Sequence, residues 1–394
     1  MPGETRSKRL DVASANREPR HRNSLMTTSI VYFTNLRSSY RDNLLSKLHR
    51  LLDHMNTRNC FTPRNLVAIK LHFGEKGNMA FVRPNYIRLI VDYIKGLGAQ
   101  PFLTDTNSLY AGSRGDSISH IRTAIENGFA YAVVNAPVVI GDGLRGASYQ
   151  TVRIDKTIFK EAYIGNEIFH ADGLISVAHF KGHELSGFGG TIKNLSMGCA
   201  SRKGKLEQHS DLSPKVKRKR CIGCGECVMH CVHSSISLED GKAVLDPEQC
   251  VGCGECVLIC QQQAIQVRWN ADSALFQKKL AEYAFAVLKN KQGKALFLNF
   301  LMQISPACDC APFNDVPFVH DLGIMGSTDP VAIDQASVDI INQEATSTPW
   351  GGENKGGEGE DKFRGLYPKI DWSVQLEYAE SIGLGKRDYE RIDV

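Results

Sequence analysis

Cys221-Ile-Gly-Cys224-Gly-Glu-Cys227-Val-Met-His-Cys231 is a Cys-x2-Cys-x2-Cys-x3-Cys run, and it recurs as Cys250-Val-Gly-Cys253-Gly-Glu-Cys256-Val-Leu-Ile-Cys260. This spacing is the one that holds two 4Fe–4S clusters in bacterial-type ferredoxins. Three thiolates two residues apart wrap one face of a cubane. The fourth cysteine of each run lies at or in the following helix and reaches across to the other cluster. The expected ligand sets are Cys221, Cys224, Cys227 and Cys260 for one cluster, and Cys250, Cys253, Cys256 and Cys231 for the other. Gly223, Gly225, Gly252 and Gly254 let the backbone turn tightly and aim amide hydrogens at sulfur. The alternatives are a zinc site or buried free thiols, although structural zinc usually takes its cysteines as two separated pairs. Val232 and Gln261 stand where a proline usually follows the fourth cysteine, which removes no ligand. Segments 234–238 and 243–245, around Asp240-Gly241, read as the hairpin between the runs.

The 394 residues and 42% apolar content suffice for a main domain and a smaller one. With 47 basic and 43 acidic residues the charge is nearly balanced, which gives no case for nucleic-acid or membrane binding. No apolar run is long enough to span a bilayer. A cluster-rich chain without a secretory signal is expected in a reducing cytoplasm. Residues 1–26 are polar and mix both charges, and Met26 directly precedes the first strand-like run. They are expected to form a disordered extension, or to lie upstream of the true start.

Strand-like and helix-like stretches alternate from Ser29 to about Ala200. Strands are expected at 30–33, 66–71, 101–104 and 174–178. Helices are expected at 44–55, 83–97 and 118–127. The cysteine-rich segment interrupts this pattern, which then resumes with a helix at 275–288 and strands at 295–301 and 321–324. Asp329-Pro330 starts a further helix as N-cap and first residue. The expected fold is α/β, a mostly parallel sheet with flanking helices, interrupted by a small α+β ferredoxin insert. The divisions are an extension at 1–26, the α/β domain at 27–216, the insert at 217–268, and the α/β domain resumed at 269–394. Residues 351–360, rich in glycine and charge, read as a mobile loop.

Ligands of parallel α/β sheets bind at the carboxyl ends of strands. Lys70 and His72 close one strand and share a face, Asp105 closes the next, and Lys181 and His183 follow a third. Then comes Gly187-Phe-Gly189-Gly190-Thr-Ile-Lys193, a turn whose free amides would suit an anion as it enters a helix. Together these residues are expected to form a pocket for a small anionic ligand: a phosphate, carboxylate or nucleotide. The alternative is that each lysine is a solvated surface residue and each histidine a satisfied loop residue. Cys308-Asp-Cys310, with Cys199 at the end of the Lys193 helix, offers three further thiols. They could bind a metal or make a redox centre, or pack as small apolar residues. Lys215, Lys217, Arg218, Lys219 and Arg220 abut the first cysteine run, as a solvated linker or as a docking patch for an acidic redox partner.

The run from Gly187 to Cys199, the cysteine repeats, Cys308-Asp-Cys310 and the stretch from Gly323 to Ser337 resemble the uncharacterised Fe–S centre proteins. In that family a domain of unknown function carries an inserted ferredoxin, so the resemblance implies clusters but no established reaction. His183 and Gly187 to Lys193 are also similar to an element of nickel-pincer lactate racemases. That likeness would make His183 an acid/base and Lys193 the tether of a nicotinate-derived cofactor.

The favoured expectation is an iron–sulfur oxidoreductase passing electrons to a small anionic substrate, or to a second organic cofactor. His183 would move protons, its pKa lying near neutrality, and Lys193 would hold negative charge. The alternatives are a non-enzymatic electron carrier, and a racemase-like isomerase whose clusters are structural.

Overall fold

The computed structural model describes residues 28–109, 112–209, 214–231, 234–250, 254–266, 272–347 and 359–394. The extension at 1–26, Val232, Gly252, Cys253 and most of the loop at 351–360 lie outside the described residues.

The eight strands of the main sheet are, in chain order, β1 (Ser29–Asn35), β2 (Leu66–Lys70), β3 (Gln100–Asp105), β4 (Val138–Ile140), β5 (Gly173–His179), β6 (Ala295–Leu301), β7 (Gly323–Ser327) and β8 (Tyr389–Asp393). Across the sheet they run β8-β1-β7-β6-β5-β2-β3-β4. Only β7 opposes the others; every pairing that excludes it is parallel. This is the expected mostly parallel α/β sheet. Central β5 is buried along its whole length, as a strand covered on both faces must be.

Each strand alternates its side chains between two apolar cores. Leu174, Phe297 and Met325 face one core, and Ile175, Leu296 and Ile324 face the other. Helices α1 (Leu44–His54), α2 (Pro84–Gly96) and α3 (Ser117–Glu126) lie on the second side. In α2, Ile87, Ile90, Val91 and Ile94 recur at helical spacing and are wholly buried, each contributing roughly 1.5–3 kcal/mol. Pro84 starts that helix, and Gly98, at φ +79°, ends it.

The other side carries α4 (Thr191–Cys199), α5 (Arg202–His209), α6 (Ser273–Leu288), α7 (Pro330–Gln343) and α8 (Ser373–Ser381). Asp329 caps α7 by accepting from the amides of Val331 and Ala332. The strand expected at 321–324 is displaced to Gly323–Ser327, because register with β1 and β6 selects those residues. The short edge strands β4 and β8 carry little apolar periodicity and were not expected.

The cysteine-rich segment lies between α5 and α6. Lys215–Val216 pairs antiparallel with Ile265–Gln266 at its base. Ile236–Glu239 pairs with Lys242–Leu245 through Asp240 and Gly241, both at positive φ, the backbone that a two-residue hairpin turn requires.

Candidate functional site

The carboxyl ends of β2, β3 and β5 lie side by side, and the loops leaving them wall a cavity of about 570 Å³. Past β5 the chain folds into a small hairpin, Lys181–His183 against Gly187–Gly189, and then enters α4. Lys70, His72, Asp105, Lys181, His183 and Lys193 all line the cavity, joined by Cys308 and Cys310 from the loop after β6.

Lys70 and Lys181 are neutralised from within by carboxylates. Lys70 is buried, with Nζ 3.1 Å from Asp105 Oδ1, and donates to Asn194 Oδ1 at 2.8 Å. Burial works against the Asp105 charge. Lys70, His72, His120 and Arg114 more than reverse that and hold its carboxyl below the usual range. Lys181 Nζ lies 3.1 Å from Asp309 Oδ2 and donates to the His179 carbonyl at 2.7 Å.

Lys193 has a different partner: its Nζ donates to Cys308 Sγ at 2.8 Å. The Cys310 thiol donates a hydrogen bond to the same sulfur. That bond lowers the Cys308 pKa well below the ordinary thiol value against the effect of burial, with Lys193 and His183 adding to it. Cys310 moves the opposite way, held protonated first by the same hydrogen bond and then by burial. The pair is therefore a thiolate beside a thiol.

His72 and His183 are oriented alike. The Gly74 amide donates to His72 Nδ1 at 3.0 Å, and the Leu185 and Ser186 amides donate to His183 Nδ1 at 3.2 Å each. Both imidazoles thus carry their proton on Nε2 when neutral. The enclosed Nε2 of His72 has no partner. The expectation that His183 titrates near neutrality is corrected: burial, then Lys193, pushes it down to about 3. At neutral pH it is a hydrogen-bond donor rather than a ready base.

Two further expectations are corrected. The glycine turn is not an open anion site. The first amides of α4, on Thr191 and Ile192, donate to the buried Asp334 carboxylate at 2.7 and 2.8 Å. A Cβ on Gly190 would stand 2.4 Å from Asp334 Oδ1, so glycine is needed there to admit this internal cap. Gly187, Gly189 and Gly190 are buried and contribute no part of the cavity wall. Cys199 likewise stands apart from Cys308 and Cys310. Its thiol donates weakly to the Asn194 carbonyl, and burial raises it to about 12.

Several wall residues escaped the sequence reading. Arg114 donates to Glu75 Oε2 at 3.0 Å and lies 3.7 Å from Asp105 Oδ2. Lys205 donates to the Thr106 hydroxyl and to the Ala200 carbonyl. Burial lowers Lys205 to about 8 and raises its partner Asp142 to about 6. Arg114 sits in a loop and Lys205 in a short polar helix, and no local pattern marks either as buried.

His120 and His183 give the fold an acid-side weakness. Burial holds both imidazoles down to about 3, whereas unfolded histidine titrates near 6.5. Between those values the unfolded chain binds more protons, so stability is full above about pH 6.5 and is lost as pH falls toward 3. The urea unfolding free energy should drop by on the order of a few kcal/mol between pH 7 and pH 4.5. A His120→Asn variant should show a flatter fall, and an unchanged slope would refute this account.

The four thiols Cys221, Cys224, Cys227 and Cys260 line one small cavity in the cysteine-rich segment. Backbone amides point at motif sulfurs: Ala243 at Cys221 (3.3 Å), Ser235 at Cys231 (3.3 Å) and Ala264 at Cys260 (3.2 Å). Ser235 and Ala264 each stand four residues after the fourth cysteine of their run, so the repeat extends to the amide donors. Among the described residues, no three His, Cys, Asp or Glu side chains converge on a point where they could hold a single metal ion. No helix among them is long and apolar enough to cross a membrane.

Solved structures similar to this chain include the following two. One is the lactate racemase apoprotein from Thermoanaerobacterium thermosaccharolyticum, at 13% identity and a TM-score of 0.37, covering 69% of this chain and 50% of that one. The other is a protein from Thermotoga maritima, at 10% identity and a TM-score of 0.37, covering 72% of this chain and 55% of that one. The chain thus spans about half the length of each. No curated protein matches it. Residues 67–339 match the family described as "Domain of unknown function (DUF362)", and over that span, more than half its length, the chain belongs to this family.

Proposed function

We propose that the chain is an iron–sulfur oxidoreductase in which a small anionic substrate or cofactor, bound in the large cavity, exchanges electrons with two 4Fe–4S clusters. Cys221, Cys224, Cys227 and Cys260 would hold one cluster; Cys250, Cys253, Cys256 and Cys231 would hold the other. A tetrahedral mononuclear site needs sulfurs about 3.8 Å apart, from bonds of about 2.3 Å. A cubane gives each thiolate its own iron and spreads them. Cys221, Cys224, Cys227 and Cys260 lining one small cavity are in keeping with the second arrangement.

One observation carries the functional reading. Leu109 lines the large cavity and also belongs to the apolar core formed with Cys227, Cys256 and Val257. The approach is close, since a Cβ on Gly254 would stand 2.8 Å from Leu109 Cδ1. Leu109 thus touches both the second cysteine run and the ligand space. When bound, the clusters supply electrons one at a time. The chain's own residues do the rest: Lys193 offers charge, and the Nε2–H group of His183 offers a hydrogen bond. Lys215, Lys217, Arg218, Lys219 and Arg220 are all exposed, where an acidic redox partner would dock.

Mass spectrometry of protein purified and denatured under anaerobic conditions tests this reading. The expected result is a released small anion or flavin at about one per chain. Finding no small molecule would favour an electron carrier, and a nickel–nicotinate adduct would favour an isomerase. Either would overturn the proposal.

A further inference from the structure

The loop after β6 is built to hold two thiols still. The Ala311 amide donates to the Cys308 carbonyl at 2.9 Å and closes a turn with Asp309 and Cys310 at its centre. Such a turn keeps the Cα atoms of Cys308 and Cys310 within about 6 Å, inside the span a disulfide bridges. Asp309 anchors the turn from below. His179 Nδ1 lies 2.7 Å from one carboxylate oxygen and Lys181 Nζ 3.1 Å from the other. The Tyr367 hydroxyl donates to the Pro306 carbonyl at 2.6 Å and fixes the loop's entry. Both thiols face the large cavity, with Lys193 Nζ 2.8 Å from Cys308 Sγ.

We infer that Cys308 and Cys310 form a thiol–disulfide exchange centre whose substrate is a small organic disulfide carrying negative charge. The inference rests on the reading of this cavity as a ligand site, and is independent of the clusters. The Cys308 thiolate attacks one sulfur of the bound disulfide. The substrate S–S bond breaks, a mixed disulfide forms on Cys308, and one thiolate leaves. Cys310 then attacks the Cys308 sulfur, loses its proton to water, and releases the second thiolate. The chain ends with a Cys308–Cys310 disulfide: two cysteines are oxidised and one substrate disulfide is reduced to two thiols.

The division of labour follows from the geometry. Cys308 is the attacking sulfur because the ammonium lies on it, and Cys310 resolves because it keeps its proton until the mixed disulfide forms. Lys193 stabilises the thiolate before attack and then faces the substrate's charge. The Nε2–H of His183 can donate to a substrate carboxylate.

The test uses the full chain, prepared anaerobically, and two small probes. One is 2,2′-dithiodiacetate, which is anionic; the other is bis(2-hydroxyethyl) disulfide, which is neutral. After reaction the protein is acid-quenched, alkylated and digested for mass spectrometry. The anionic probe should yield an internal Cys308–Cys310 disulfide, at least about tenfold faster than the neutral one. With Cys310→Ser the reaction should stop at a mixed disulfide on Cys308, at about one per chain. Cluster absorbance is followed in parallel. Absence of cluster absorbance with the Cys308–Cys310 disulfide formed would count against the iron–sulfur reading and support the exchange centre. Intact clusters with Cys308 and Cys310 both still free would overturn the exchange centre, as would equal rates for the two probes. The wild-type measurement decides the matter even if the variant fails to fold.

Discussion

Anaerobically prepared protein should contain about eight iron and eight acid-labile sulfide per chain. Cys224→Ser should remove about half of each. Cys224 suits this test because it is exposed while its run-mate Cys227 is buried. Its loss therefore leaves the segment's small core, built on Ile236, Ala243, Val257 and Ile265, in place. The remaining iron should belong to the set that includes Cys250 and Cys256, so a cluster-type absorbance should persist at reduced intensity. Ala243, Ser235 and Ala264 donate to motif sulfurs in the protein as folded. Such amide bonds stabilise extra negative charge on a reduced cluster and raise its potential. Stoichiometric zinc without sulfide would defeat the cluster assignment. Full iron retention in Cys224→Ser would remove Cys224 from the ligand set.

Much of the fold was legible because it is written in short-range patterns. The apolar recurrence in α1, α2 and α6 marks helices whose buried faces are those residues. Asp329-Pro330 announces the start of α7, and Asp240-Gly241 announces a turn with both residues at positive φ. Strand ends were legible for the same reason, so Lys70, Asp105, Lys181 and His183 were expected at one edge and line one cavity. What the sequence could not show is which partner each charged group takes. Asp334 reaches the α4 amides from 142 and 143 positions away and closes a site that the glycine turn alone would leave open. Cys308 meets Lys193 across 115 positions, and Arg114 meets Glu75 across 39. These pairings follow from how β5, β6 and β3 are ordered in the sheet, and local periodicity carries no record of that order.

Replacing Lys193 with Ala should both weaken anion binding and quiet Cys308. A charge-assisted hydrogen bond contributes roughly 1.5–3 kcal/mol, so a ligand held by the ammonium should bind about tenfold to a hundredfold more weakly. The second effect follows from the 2.8 Å contact between Nζ and Sγ. Without that charge the Cys308 thiol rises, held down mainly by the Cys310 hydrogen bond against burial, and a smaller fraction of it is thiolate at pH 7. Alkylation of Cys308 by iodoacetamide at pH 7 should therefore slow by about tenfold or more, and raising the pH toward 9 should restore much of the rate. Lys193→Arg, which keeps the charge, should recover most of both properties. His183→Gln should leave alkylation closer to wild type, because the neutral imidazole contributes a hydrogen bond rather than a full charge. Lys193 is half-buried and its ammonium lies on a thiolate, so cluster absorbance and the unfolding midpoint serve as controls for a collapsed site. Unchanged alkylation and unchanged anion binding in a folded Lys193→Ala protein would show that this lysine is structural, and the ligand site would have to be sought elsewhere in the cavity.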